Sequence, residues 1–361
     1  MHTLPLQSTV TIKKDLANCI KVRLVNDMTH SKIKNIIAAL PVDTAERQAF
    51  GRELAARGEP LGEFILVQCE LARLQQLIPP PLSRSMPADR VSALTEQFQN
   101  LTRREGDLWK RYAQDWTQPA KELGVGDVLF VNGAPDTLYI DDATAFAANI
   151  DAIVQTLPTA RRVSFRFPDI MEVSQKEVIR TVCSAPNLSH FETIGFVGWD
   201  GDRIASVMAT SPNLNGLQTL DLLDCNVGPA GATAIFRSKH LRSLRQLDLS
   251  GNPIGPAGVA AVGESSLRAL KTLRLLSTGI GDAGAHALSK GAAALPSLRR
   301  LDVSDNPLSL DAISAILNSP ALARVTVDIS TDHLPAAIAA GINKKLSEHN
   351  DFGQGANAGR E

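Results

Sequence analysis

The chain has 361 residues, with 37 Lys plus Arg against 38 Asp plus Glu and a formal net charge of −1. So close a balance supplies no large basic field for tracking a phosphate backbone or an anionic membrane surface, so neither nucleic acid nor membrane is an expected partner. The four cysteines, Cys19, Cys69, Cys183 and Cys225, form no C-x-x-C pair, which argues against a zinc knuckle or a disulfide framework and predicts reduced thiols.

From the start, Met1-His2-Thr3-Leu4-Pro5, the sequence lacks the basic and apolar regions of a cleavable signal, and no window approaches the ~18 apolar residues of a spanning helix. The expected location is the cytoplasm, with delivery by a dedicated secretion system as the alternative. Residues 1–30 form an N-terminal extension in which Val10 and Ile12, then Ile20, Val22 and Leu24, alternate with polar residues; this period predicts a β-hairpin. From Ser31 the spacing of Ile33, Ile36, Ile37 and Leu40 becomes helical, and Pro41 supplies the stop.

A second helix is predicted over 43–57, ending at Gly58, and Pro60 opens a third that runs to Leu77. Its buried stripe is Phe64, Ile65, Gln68, Leu71 and Leu74. Pro79, Pro80 and Pro81 break it, and 79–87 reads as a mobile loop. A further helix over 88–116 carries Leu94, Phe98, Leu101, Leu108, Trp109 and Tyr112 toward the same small core. Residues 31–120 thus read as a mainly helical domain.

Gly58, Pro60, Gly62, Glu63, Phe64 and Ile65, followed by Gln68, Cys69, Leu71 and Ala72 and later by Trp109 and Trp116, resemble the bacterial repeat-companion domain that commonly precedes repeat arrays. The resemblance spans about 33–139. Ala49-Phe50-Gly51-Arg52-Glu53 departs from its aromatic-aspartate-tryptophan pattern. What the resemblance implies is an architecture, and no activity attaches to it.

Residues 121–160 are expected to cap a solenoid. Strands at 128–131 and 137–140 are joined at Asn132-Gly133, with Pro135 lengthening the loop, and a helix over 143–157 places Phe146, Ile150, Ile153 and Val154 on one side. Then one pattern recurs in Leu217-Leu220-Leu222-Cys225, Leu244-Leu247-Leu249-Asn252, Leu270-Leu273-Leu275 and Leu298-Leu301-Val303-Asn306. The first leucines lie 27, 26 and 28 residues apart, which leaves room for one strand, one helix and two turns per unit. These segments resemble leucine-rich repeats.

Val163 and Phe165, and Ile194 and Phe196 after Phe191, mimic the inward positions upstream; Leu322, Val325 and Val327 supply one more strand downstream. The repeat region is therefore 161–330, followed by a capping helix within 331–350 and a disordered tail at 351–361. Gly228-Pro229-Ala230-Gly231, Gly255-Pro256-Ala257-Gly258 and Gly281-Asp282-Ala283-Gly284 open helices and resemble the ribonuclease-inhibitor-like subtype. The implied fold class is α/β: a right-handed horseshoe with a parallel concave sheet and convex helices, preceded by the helical domain.

The inward leucines of each coil pack on those of its neighbours, because no coil buries its apolar side alone. Asn252 and Asn306 turn the chain inward and pair with backbone groups, with Cys225 and Thr278 as smaller members of that column. Trp199 stands where Asn or Cys is expected, either in the core or as a rim aromatic that binds a partner. Alternation puts the residues between the leucines on the concave face. The partner-binding candidates there are Val197, Asp221, Leu223, Asp248, Ser250, Arg274, Leu276, Arg300 and Asp302, with Leu223, Asp221 and Asp248 the hot spot for a basic partner.

The histidines His2, His30, His190, His240, His286, His333 and His349 are isolated, and neither H-E-x-x-H nor G-x-S-x-G occurs. No catalytic residue, metal, cofactor or small-molecule substrate is expected. The expected function is non-catalytic recognition of a protein partner, or scaffolding, through the concave face. The alternatives are a regulator of a small GTPase, such as a GTPase-activating solenoid, and a secreted bacterial effector acting on a host protein.

Overall fold

A computed structural model describes residues 31–78, 87–166, 175–332 and 334–357. The expected hairpin in 1–30, the loop at 79–86 and the chain end at 358–361 lie outside the described residues. The chain divides into two compact units. One takes in the residues up to Leu123 with Asp127–Asp136 and Ala152–Ala160; the other takes in Gly124–Gly126, Thr137–Asp151 and the residues from Arg161 onward.

The first unit begins with helix α1 at 31–38, then α2 (Thr44–Ala56), α3 (Pro60–Leu77) and α4 (Ala88–Lys121). The Asp43 carboxylate caps α2 by accepting from the N–H groups of Ala45 (2.9 Å) and Glu46 (3.0 Å). Gly58, at φ 75°, ends the turn before α3. α2 and α3 cross so closely that a Cβ on Gly62 would stand 2.3 Å from the Ala55 nitrogen and 2.6 Å from the Gly51 oxygen. Arg47 is buried, and its guanidinium donates to the carbonyls of Val42 (2.8 Å), Pro41 (3.0 Å) and Val131 (3.2 Å).

Strand β1 (Asp127–Val131) lies in this unit and lends Phe130 to a ring cluster. Phe64 sits 4.7 Å from Trp116, and Trp109 is 5.5 Å from Phe130. Leu94, Phe98 and Leu101, expected in this core, are only partly buried; Leu108, Trp116, Pro119 and Ala120 form the packed end of α4. That burial carries α4 beyond the expected stop at Trp116, and Pro119 falls in its last turn, where its missing N–H gives up one backbone bond. The turn to β2 (Ala134–Ile140) is tighter than expected: Asn132 and Gly133 both have positive φ (50° and 75°), a two-residue hairpin turn, and Pro135 is already in the strand.

Among the described residues the strands from β2 onward form one sheet, in the order in which the chain makes them. From β2 onward every pairing is parallel. In the second unit the strands are β3 (Arg162–Arg166), β4 (Thr193–Val197), β5 (Thr219–Asp221), β6 (Gln246–Asp248), β7 (Thr272–Arg274), β8 (Arg300–Asp302) and β9 (Thr326–Asp328). Helix α5 (Ala143–Thr156) precedes β3, and between the later strands run α6 (Gln175–Ser184), α7 (Gly201–Met208), α8 (Pro229–Phe236), α9 (Gly255–Ala260), α10 (Gly281–Gly291) and α11 (Leu310–Leu317), before the closing α12 (Ala336–Asn357). From α6 to α11 each helix packs on the next as strands pair with strands, so these coils lean on their neighbours.

Register explains the leucine pattern. Ile194 pairs with Leu220, Leu220 with Leu247, Leu247 with Leu273 and Leu273 with Leu301, and all are buried. Each is worth ~1.5–3 kcal/mol against exposure. The last coil departs from expectation: Val327 pairs with Leu301, not with Val303, so its strand is displaced by two residues. Val325, Val327 and Ile329 are the inward residues there, because they keep the alternation while Leu322 packs in the preceding turn, its N–H bonded to Ser319. The final helix also continues past the expected end at 350 to Asn357, with no proline to halt it.

Candidate functional site

The strand residues between the buried leucines stand in register across the sheet. One column runs Ser164, Gly195, Asp221, Asp248, Arg274, Asp302 and Asp328. Beside it runs Arg162, Thr193, Thr219, Gln246, Thr272, Arg300 and Thr326. Two residues past the paired Gly195 and Asp221 come Val197, 58% exposed, and Leu223, 46% exposed. Val197 ends β4, and Leu223 lies in the turn that follows β5.

The carboxylates of this face are partly spoken for. Asp221 Oδ1 accepts from the Leu223 N–H (3.1 Å), Asp248 Oδ1 from Ser250 N–H (3.0 Å) and Asp302 Oδ1 from Ser304 N–H (3.0 Å). Each aspartate thus braces the turn that follows its own strand, a local side-chain-to-backbone bond that recurs coil after coil. The second oxygen of Asp248 takes Arg274 Nη1 at 3.3 Å, and Arg300 Nε reaches Asp328 Oδ2 at 2.9 Å. Desolvation on the face holds the Asp221 carboxyl above its ordinary range, and the charge of Asp248 adds to it. Asp328, which continues this column, was not among the expected partner-binding residues.

Other predicted residues lie differently. Ser250 is buried, its carbonyl accepting from Asp224 N–H and from Asn252 Nδ2, both at 3.0 Å; it offers no contact surface. Leu276 is only half-exposed. Trp199 is 3% exposed and meets Phe196 edge to face at 5.9 Å, so it is a core residue and not a rim aromatic.

Beneath the face the asparagine column is fully bonded. Asn252 Oδ1 accepts from the N–H groups of Val227 (2.8 Å) and Cys225 (3.1 Å), and its Nδ2 donates to Leu222 O (2.7 Å) and Leu249 O (2.8 Å). Asn306 repeats the arrangement with Thr278, Ile280, Leu275 and Val303. Burial pushes the Cys183 thiol up to about 12 and the Cys225 thiol up to about 11, and the Cys225 thiol donates to Phe196 O at 3.2 Å. Both are protonated at neutral pH and poor nucleophiles. Among the described residues no three of His, Cys, Asp or Glu gather as a metal site, and no described helix is long and apolar enough to cross a membrane.

A leucine-rich-repeat family model matches residues 215–236, 240–263 and 294–317, segments that hold β5, β6 and β8 with their helices. With the parallel ladder and one strand and one helix per coil, the class is settled. The fold is a leucine-rich-repeat solenoid. No curated protein sequence matches the chain. Among solved structures, an internalin from Listeria monocytogenes is 15% identical, with 58% of this chain and 56% of the internalin covered and a TM-score of 0.31. A Bacteroides fragilis protein is 13% identical over 64% of this chain and 84% of its own, at a TM-score of 0.29. A chain from the complex of Rad7 and Elc1 in yeast is 13% identical over 97% of this chain and 92% of its own, at 0.33.

Proposed function

We propose that this chain is a non-catalytic recognition protein that holds a protein partner on the exposed face of its parallel sheet, with Val197 and Leu223 at the centre of the contact. The observation that carries the reading is the exposure of these two side chains (58% and 46%), one at the end of β4 and the other in the turn that follows β5. Burying two such side chains under a partner supplies apolar contact without altering the repeat core. Asp221 lies next to them and, unlike Asp248, has no arginine within ion-pair distance among the described residues; it favours a partner with a basic side chain at that point. The short helices opened by Gly-x-Ala-Gly support the ribonuclease-inhibitor-like subtype.

The test compares wild type with a Val197→Arg, Leu223→Arg double variant in affinity capture from native lysate, followed by direct titration of the captured protein. Both positions are solvent-facing, so the melting temperature should be unchanged while affinity falls at least about 100-fold. A captured protein that binds the variant as tightly as wild type sinks the assignment.

A further inference from the structure

The near-neutral total charge conceals a segregation that appears only when the coils are stacked. On the side of the second unit where the strands begin, Arg242, Arg245, Arg268, Lys271, Arg299 and Arg324 are all exposed. Three of them are locked one above the next by the backbone: Lys271 N–H donates to Arg245 O (2.7 Å) and Arg299 N–H to Lys271 O (2.8 Å). Adjacent strands lie ~4.8 Å apart, so these cations form a close-spaced row. None of the six has a carboxylate partner among the described residues; of the acids on this side, Glu264 pairs instead with Arg237 at 2.7 Å, and Glu192 stands two coils before Arg245 in the same backbone row. The arginines of the sheet face, Arg274 and Arg300, contrast with them in having aspartate partners.

The opposite side, where the strands end, has the reverse character. The segments 222–228, 249–255, 275–281 and 303–309 contain no Lys or Arg, and Asp224 and Asp305 are exposed there. Two hollows open on the basic side. One, of about 460 Å³, is lined by Arg242, Arg268, Ser266 and Glu264, whose carboxylate is paired with Arg237; the other, of about 370 Å³, is lined by Arg299 and Arg324 with Leu295, Pro296 and Pro320.

We infer that this basic edge is a second docking surface, separate from the exposed sheet face, and that it takes an extended acidic polypeptide segment whose carboxylates alternate with small apolar side chains. Carboxylates would meet the row of cations, and an apolar side chain would seat on the leucine and prolines between Arg299 and Arg324. Uncompensated like charges at strand spacing repel one another, and an acidic chain lying along them removes that repulsion. A nucleic acid fits less well. The hollows present no aromatic side chain on which a base could stack.

The test is fluorescence anisotropy on the full chain with a labelled peptide of alternating glutamate and valine. Controls are the lysine-for-glutamate peptide and a labelled DNA duplex. Wild type should bind the acidic peptide, more weakly as salt rises. An Arg268→Glu, Lys271→Glu, Arg299→Glu variant should lose about tenfold or more in affinity, and the corresponding glutamine variant, which removes charge without reversing it, should lose less. Lys290→Glu, exposed on α10, should bind as wild type, and so should the Val197→Arg, Leu223→Arg variant, which separates this surface from the sheet face. Absence of peptide binding, equal binding by the triple-glutamate variant, tighter binding of the duplex, or salt-sensitive self-association that excludes the peptide would each overturn the assignment.

Discussion

Asn252 and Asn306 show how a single residue type holds a turn that the backbone cannot hold alone. Each amide bridges two consecutive coils, satisfying N–H groups of one coil and carbonyls of both, and each is buried where water cannot substitute. Asn252→Leu keeps the volume but strands Cys225 N–H, Val227 N–H and two carbonyls. It should cost about 2–4 kcal/mol in urea unfolding, and an unchanged midpoint would refute the account. The asparagines were legible from their place in the repeat. The role of Asp221, Asp248 and Asp302 was not: sequence alternation marked them as surface groups, yet each also ties down its own turn. A side chain's position does not reveal that one of its oxygens is already in use.

At the scale of elements, the crossing of α2 and α3 depends on an approach only glycine permits. A side chain on Gly62 would collide with the Ala55 nitrogen and the Gly51 oxygen, backbone atoms that cannot swing aside, so Gly62→Val must force the helices apart. The expected outcome is a loss of about 2–4 kcal/mol in the first unit, read as a lower thermal transition with near-ultraviolet dichroism from Trp109 and Trp116 diminished. A variant as stable as wild type would mean that the crossing is more pliable than its geometry indicates. The helices themselves were readable from Pro60, Gly58 and the apolar stripe. Gln68 was placed in that stripe by spacing alone; in the fold it donates to Glu105 (2.8 Å) and accepts from Gly133 N–H (2.6 Å), contacts 37 and 65 residues away in sequence. Arg47 escaped notice for the same reason, since one of the three carbonyls it caps lies 84 residues away.

Across the molecule, the second unit gains stability from neighbour contacts, so its coils should not be equally protected. Interior coils around β5, β6 and β7 pack against a coil on both sides, whereas β9 pairs only with β8 among the strands. Amide hydrogen exchange should therefore be slowest at Leu220, Leu247 and Leu273 and faster at Val327, following the nearest-neighbour stability of repeat arrays. Uniform protection from β5 to β9 would show instead that the unit opens only as a whole.

By itself the sequence determined that the chain repeats a leucine pattern every 26–28 residues, that a parallel sheet follows, and which side chains face inward, because burial and strand alternation act within a few residues of chain. Only the tertiary structure decided the register of the last coil, where two overlapping apolar patterns were both compatible with a strand, and the burial of Ser250 and Trp199. It also decided that cations from four coils, Arg242 to Arg324, share one side of the unit. They lie far apart along a chain whose total charge is nearly zero, and stacking at strand spacing is what gathers them into one field.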